Sequence, residues 1–355
     1  MSLDLDRIRE LPKVLLHDHL DGGLRPETAV DLSQQQGKEL PTEDPGELAE
    51  WFHRGAQRGN LPLYLEGFSV TCSVMQTEEA LHRVAKERAQ DLVKDGVVYA
   101  EIRFAPCLHV NEGLNLEQVM AAVLDGFREG SRDGKDVEVR TLVCALRNMS
   151  PETSLEMAEL AVDFRDRGAV GFDLAGDESG HPPKKHLDAF QFLRRENFPI
   201  TIHAGEAFGV SSIWQAIQYC GAHRIGHATR LYEDFHENAE NRGTLAQYVL
   251  DQRILLEMCL SSNVHTGACD SLDEHPFPNY YREGFRVTLN TDNILMSNTT
   301  LSDEWEIAHR MWGLGLEDFR KLALNGINGS FLHYPERVKL RRERIDAVYD
   351  ELIGS

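Results

Sequence analysis

The chain has 355 residues, 41% of them hydrophobic and 27% charged, with 58 acidic against 37 basic side chains and a formal net charge of -21. That is a globular balance with ample apolar material for a core. So acidic a surface repels phosphate backbones, which excludes nucleic acid and anionic membranes as expected partners and leaves small neutral molecules open.

Taken in order, short apolar runs rich in β-branched residues alternate with amphipathic stretches. Residues 1–12 carry no apolar signal core, and residues 13–16 are the first predicted strand. The stretch 26–68 is too long for a simple connection and predicts added helices. Helices are expected at 77–94, 116–132, 154–167 and 211–219, and strands at 97–104, 137–144, 170–173, 200–203, 224–227, 254–258 and 287–290. A further helical segment begins at Leu316, and its basic run 337–344 is expected to be a solvated face. Eight strands alternating with helices predict a parallel sheet, and eight is the number that closes a (β/α)8 TIM barrel of the α/β class. An open doubly wound sheet would show a Gly-rich phosphate loop after its first strand. This chain has His17-Asp18-His19-Leu20-Asp21-Gly22-Gly23 there. No linker, repeat or low-complexity tract interrupts the pattern, so residues 1–355 are expected to form one domain. Cys72, Cys107, Cys144, Cys220, Cys259 and Cys269 form no CxxC pair, which predicts reduced thiols in a cytoplasmic protein. No apolar run approaches the roughly 20 residues that span a bilayer.

In a parallel barrel, chemistry collects where strands end and loops begin. His17 and His19 close the first strand, and at i and i+2 they face the same side, with Asp18 opposite and expected to be structural. Strand four ends at Asp173, strand five at His203 before Ala204-Gly205-Glu206, strand six at His227, and strand eight runs into Thr291-Asp292-Asn293. Three neutral imidazoles and a carboxylate suit a borderline ion such as zinc, with water completing the shell. Glu206, three residues beyond a candidate ligand, is close to the metal yet free to move protons. His53, His82, His109, His181, His186, His236, His265 and His275 lack a matching strand-end position and are expected to be surface or structural.

With these residues the chain resembles the bacterial adenosine deaminases, in the adenosine/AMP-deaminase branch of the amidohydrolase-like metal-dependent hydrolases. The match runs through Pro12-Lys13, His17-Asp18-His19-Leu20-Asp21-Gly22, Val98-Tyr99-Ala100-Glu101-Ile102-Arg103-Phe104-Ala105-Pro106 and Gly171-Phe172-Asp173-Leu174-Ala175-Gly176-Asp177-Glu178. It continues through His203-Ala204-Gly205-Glu206, Ile225-Gly226-His227, Ser261-Ser262-Asn263 and Leu289-Asn290-Thr291-Asp292, covering almost the whole chain. The paired histidines mark only the broad superfamily; the later three motifs in this order are more specific.

The resemblance implies one zinc ion per chain, bound by His17, His19, His203 and Asp292. It implies a proton shared between Glu206 and the purine N1, and a His227 that orients and helps deprotonate the attacking water. Asp21, with His19 nearby, would hold the ribose hydroxyl, and the Gly176 N–H would reach N3. Leu61, Tyr64, Leu65 and Phe68, at i, i+3, i+4 and i+7, would form a short helix over the pocket; such a stripe is otherwise ordinary core. The implied reaction is hydrolytic deamination of adenosine and 2′-deoxyadenosine to inosine and ammonia, in purine salvage. The alternative is another 6-aminopurine, such as adenine or a 5′-modified, aminodeoxyfutalosine-like nucleoside. Asn293 replaces a second aspartate found in many members, and its amide is expected to donate to N7 without needing protonation. Ala228-Thr229 stands where glycine is usual and is expected to narrow the pocket. Asp173, rather than a lysine, ends strand four, which favours one metal over a lysine-bridged pair. Retention of every ligand and of Glu206 argues against a non-catalytic binding protein.

Overall fold

The computed structural model describes residues 3–235 and 242–354; His236 lies outside the described residues. Eight parallel strands form in chain order: β1 Lys13–His19, β2 Val97–Phe104, β3 Glu138–Leu146, β4 Ala169–Ala175, β5 Thr201–Ala204, β6 Arg224–His227, β7 Leu255–Met258 and β8 Val287–Leu289. They make two four-stranded sheets, β1-β2-β3-β4 and β5-β6-β7-β8. Parallel bridges from Phe172 to Ile200 and from Asp18 to Asp292 join the two sheets at both seams, which closes the (β/α)8 barrel. Asn290 reinforces the second seam. Its Oδ1 accepts the N–H groups of Leu16 and His17 at 3.0 and 3.1 Å, and its Nδ2 donates to the Met258 carbonyl.

All eight expected strands are present; 97–104 and 224–227 have the expected bounds, and the other six have shifted ends. β1 runs on past residue 16 to His19, so the paired histidines close the strand as expected. The connecting helices carry the usual start signals. In Glu78–Lys94, the Thr77 side chain accepts the Ala80 N–H, Glu78 and Glu79 complement the helix dipole, and Leu81, Val84, Ala85, Ala89 and Leu92 face the core.

The stretch 26–68 does form added helices, Pro26–Gln36, Pro45–Ala56 and Leu61–Tyr64. The expected continuous helix over Leu61–Phe68 is corrected: after Tyr64 the chain tightens into a 3-10 turn, Leu65–Gly67, and a new helix, Phe68–Ser73, follows. The C-terminal segment packs Leu316–Gly329 against β1 and β8. Its basic run is more than a solvated face, because Arg344 donates to the carbonyls of Gly134, Lys135 and Asp136, and Arg337 to those of Asn328 and Ser330. All six cysteines are free thiols. No described helix is long and apolar enough to cross a membrane.

Candidate active site

The barrel mouth gathers the strand-end residues into one buried cluster. His19 Nε2 lies 3.2 Å from His203 Nε2 and 3.4 Å from Asp292 Oδ1, and His17 Nε2 lies 3.5 Å from the same oxygen. Donor atoms of His17, His203, His227 and Asp292 all fall within 4.8 Å of one another. His19 stands outside that foursome but abuts it through the two short contacts just given.

Buried carboxylates set the histidine tautomers. Glu257 faces His17 Nδ1 at 2.9 Å, and Asp173 faces His203 Nδ1 at 3.0 Å. Each carboxylate can only accept, so each ring carries its proton on Nδ1 and turns an Nε2 lone pair to the mouth. His17 Nε2 has no hydrogen-bond partner among the described residues. Lone pairs crowded together without a donor repel unless a cation lies among them. Imidazole nitrogens beside a carboxylate are a donor set for a divalent metal, and the residues present fit one.

Charge supports the same arrangement. Arg103 reaches Asp173 at 2.9 Å and Glu257 at 2.8 Å; Arg224 reaches Glu257 and Glu101, each at 2.6 Å. Burial alone would raise the Glu257 carboxyl, but Arg224 and Arg103 hold it well below the usual range. Burial pushes the His19 imidazole down to about 3 despite Asp292, and holds His227 well below its ordinary value with help from His17. Glu206 goes the other way. Burial, then the charges of Asp292 and Glu178, push its carboxyl well up, which favours its protonated form.

Strained backbone aims these groups. His227, Ala228 and Asp292 have φ of 64°, 54° and 60°, a region that L-residues seldom occupy and that clusters at functional sites. Ala228 N–H bonds to Ala204 O, and Asp292 N–H to His17 O, which holds the turns in place. Gly226 makes room below them, since a Cβ there would stand 2.9 Å from His17 Cε1.

A cavity of about 220 Å³ opens onto the cluster. His19, His203, Glu206, His227 and Asp292 line it, together with Asp21, Gly176, Asn293, Leu61, Tyr64, Leu65 and Phe68, while His17 lies beneath. Asp21 Oδ1, Glu206 Oε1 and Asn293 Oδ1 are buried without a hydrogen-bond partner among the described residues. Gly22 leaves the space that Asn293 needs, because a Cβ there would overlap Asn293 Oδ1. One expectation changes. Ala228 and Thr229 do not line the cavity; Ala228 is packed into the core, so neither narrows the pocket. His275, expected to be surface or structural, is buried and bonds to Asn263, which bonds to His227. Asp18 is buried on the opposite side, paired with Arg88 at 2.8 Å and Thr291 at 2.7 Å.

Sequence reasoning missed Glu257, Arg103 and Glu178 as members of the site. A lone acid inside the apolar run Leu255-Leu256-Glu257-Met258 is the signal that could have flagged the first.

The family model described as adenosine deaminase matches residues 12–348. An adenosine deaminase of Mycobacteroides abscessus is 51% identical over 361 residues, covering 99% of both chains. Adenosine deaminase 1 of Streptomyces coelicolor is 51% identical over 355 residues, covering 98% of this chain and 89% of the relative. Among solved structures, an adenine deaminase of Arthrobacter aurescens superposes with a TM-score of 0.85 at 26% identity, covering 95% of this chain and 99% of that one. The barrel, the cluster at its mouth and these full-length likenesses agree: the chain belongs to the adenosine deaminase family.

Proposed function

We propose that the chain is a zinc-dependent hydrolytic deaminase that converts adenosine and 2′-deoxyadenosine, with water, to inosine or 2′-deoxyinosine and ammonia. The observation that carries the proposal is a buried carboxyl, Glu206, whose pKa burial raises, beside the cluster of His17, His203, His227 and Asp292 at a cavity of about 220 Å³. Half-identical relatives named for this activity support the choice of substrate. His17, His19, His203 and Asp292 would hold one zinc ion per chain, whose chemistry is to lower the pKa of a water towards ~7 and make it a nucleophile at neutral pH.

The chain's own residues do the rest. Glu206 donates its proton to the purine N1, which draws electrons from C6 and readies it for attack. His227, with Nε2 3.5 Å from Glu206 Oε2, orients the attacking water. Asp292, whose Oδ2 is held by Ser262 Oγ at 2.6 Å, keeps its other oxygen turned to the histidines. Asn293 donates to N7, the Gly176 N–H reaches N3, and Asp21, with His19 beside it, takes the ribose hydroxyl. Leu61, Tyr64, Leu65 and Phe68 line the cavity with largely apolar surface, which would disfavour bulk water beside a bound nucleoside. A small neutral substrate suits the net charge, and a cytoplasmic enzyme with one domain over residues 1–355 completes the reading.

The test mixes zinc-loaded protein with adenosine, 2′-deoxyadenosine, adenine and 5′-substituted adenosines while the purine absorbance is followed. Loss of adenosine absorbance is expected. Turnover of adenine or a 5′-modified nucleoside in its place would overturn the choice of substrate and keep the deaminase. Glu206→Gln should abolish turnover with zinc retained, and a fully active variant would remove Glu206 from the proton transfer.

A further inference from the structure

Three hydrogen bonds in series lead from the backbone to His227. The Phe277 N–H lies 3.1 Å from His275 Nδ1, and a backbone amide can only donate, so Nδ1 carries the lone pair. Burial pushes the His275 imidazole down to about 3, so the ring is neutral at pH 7 and its proton is on Nε2. That Nε2 lies 3.2 Å from Asn263 Oδ1, which accepts it. The amide is thereby turned one way round, with Nδ2 facing His227 Nδ1 at 2.9 Å. An amide NH₂ can only donate, so His227 Nδ1 accepts and the ring's own proton is left on Nε2. His275, Asn263 and His227 are 1%, 0% and 1% exposed, which leaves no bulk water to offer another pairing.

We propose that His275 and Asn263 are positioning residues that fix the tautomer of His227, so that it presents an Nε2–H donor to the cavity. The inference rests on the deaminase reading for its catalytic consequence, though the tautomer itself does not. In this form Nε2 has no lone pair, so His227 holds the oxygen of the attacking water and does not take its proton. An imidazolium would also set a second N–H against the Asn263 NH₂. The orienting part of the role expected for His227 fits the chain of bonds, and the deprotonating part does not.

Two readouts on the zinc-loaded enzyme test this. Histidine-selective 15N NMR, with the His227 signals assigned by their loss in His227→Gln, should show wild-type His227 protonated on Nε2. A proton on Nδ1 overturns the proposal, whether or not the protein deaminates anything. Asn263→Asp keeps the shape but makes both side-chain oxygens acceptors, so the His227 proton should move to Nδ1. A wrong tautomer in an otherwise intact serine-protease triad lowers kcat about 10⁴-fold. Here kcat should fall at least about a hundredfold, with KM within about threefold and zinc content unchanged. His275→Gln, which can still donate to Asn263 Oδ1, should retain most of the activity that His275→Leu loses. Wild-type kcat in Asn263→Asp, or equal losses in the two His275 variants, would reduce both residues to packing. Should Asn263→Asp fail to fold, the wild-type spectrum still decides.

Discussion

Glu178 Oε2 accepts the backbone N–H of Glu206 at 3.0 Å, and the same carboxylate takes the N–H groups of Gly205, Ala207 and Phe208 at 2.8, 2.7 and 2.9 Å. One buried side chain therefore both shapes the loop that carries Glu206 and helps to keep its carboxyl protonated. Hydrogen bonds to a charged group contribute about 1.5–3 kcal/mol each, so the loop depends heavily on this carboxylate.

Glu178→Gln should act in two ways. An amide presents one acceptor oxygen and one donor nitrogen to four donors, so the loop loosens and kcat/KM should drop about tenfold or more. On the proposed mechanism Glu206 works as an acid, so activity should fall as pH rises through its pKa. Without the Glu178 charge the ionised form is less disfavoured, that pKa falls, and the alkaline limb of the kcat/KM profile should move to lower pH. An unmoved limb would show that Glu178 has no electrostatic hold on Glu206.

Gly226→Ala probes the floor of the site. The new methyl group would meet His17 Cε1 at 2.9 Å and the His203 backbone at 3.3 Å. Overpacking of this kind costs about 1–3 kcal/mol. The His17 ring has to give way at the edge whose Nδ1 meets Glu257, and loosening an outer partner of a metal-binding histidine typically costs 10–100-fold in affinity. A lower melting temperature together with weaker zinc retention against a chelator is expected. Wild-type zinc affinity would mean that His17 can move without harming the donor set.

The barrel was legible because its parallel strands are covered on both faces and read as short apolar runs. The strand-end histidines, Glu206 and Asp292 were legible because each lies in a compact local motif. What supports them was not, since the partners are distant in sequence. His17 meets Glu257 across 240 positions and Leu16 meets Asn290 across 274, and no spacing rule reaches that far. His275 shows the same limit. It belongs to no strand end, so only burial and its two neighbours reveal its link to His227.

Asn293 tests how the departure from a second aspartate is accommodated. It is buried, lines the cavity and leaves Oδ1 without a partner among the described residues. If its amide donates to N7, Asn293→Ala should cost about 1 kcal/mol or more, roughly fivefold in kcat/KM for adenosine. A change within about twofold would remove it from substrate binding. Asn293→Asp should bind the purine well only while that carboxyl keeps a proton, so its kcat/KM should weaken as pH rises.

Glu304 offers a test of stability rather than catalysis. It is buried, and its carboxyl accepts the Ser261 N–H at 3.2 Å and the Thr299 hydroxyl at 2.8 Å. Burial outweighs those bonds and pushes the group up to about 7. In the unfolded chain a glutamate titrates near ~4.3, so below about pH 4 both states hold the proton. Between roughly pH 4.5 and 7 the folded protein keeps a proton that the unfolded chain has lost, so stability falls as pH rises. At about 1.4 kcal/mol per pH unit, the loss across that window is on the order of 3 kcal/mol. Glu304→Gln carries no titrating proton there, so its melting temperature should decline less than that of the wild type between pH 5 and 8. A constant gap between the two proteins over that range would mean that Glu304 is already ionised in the folded state at pH 5.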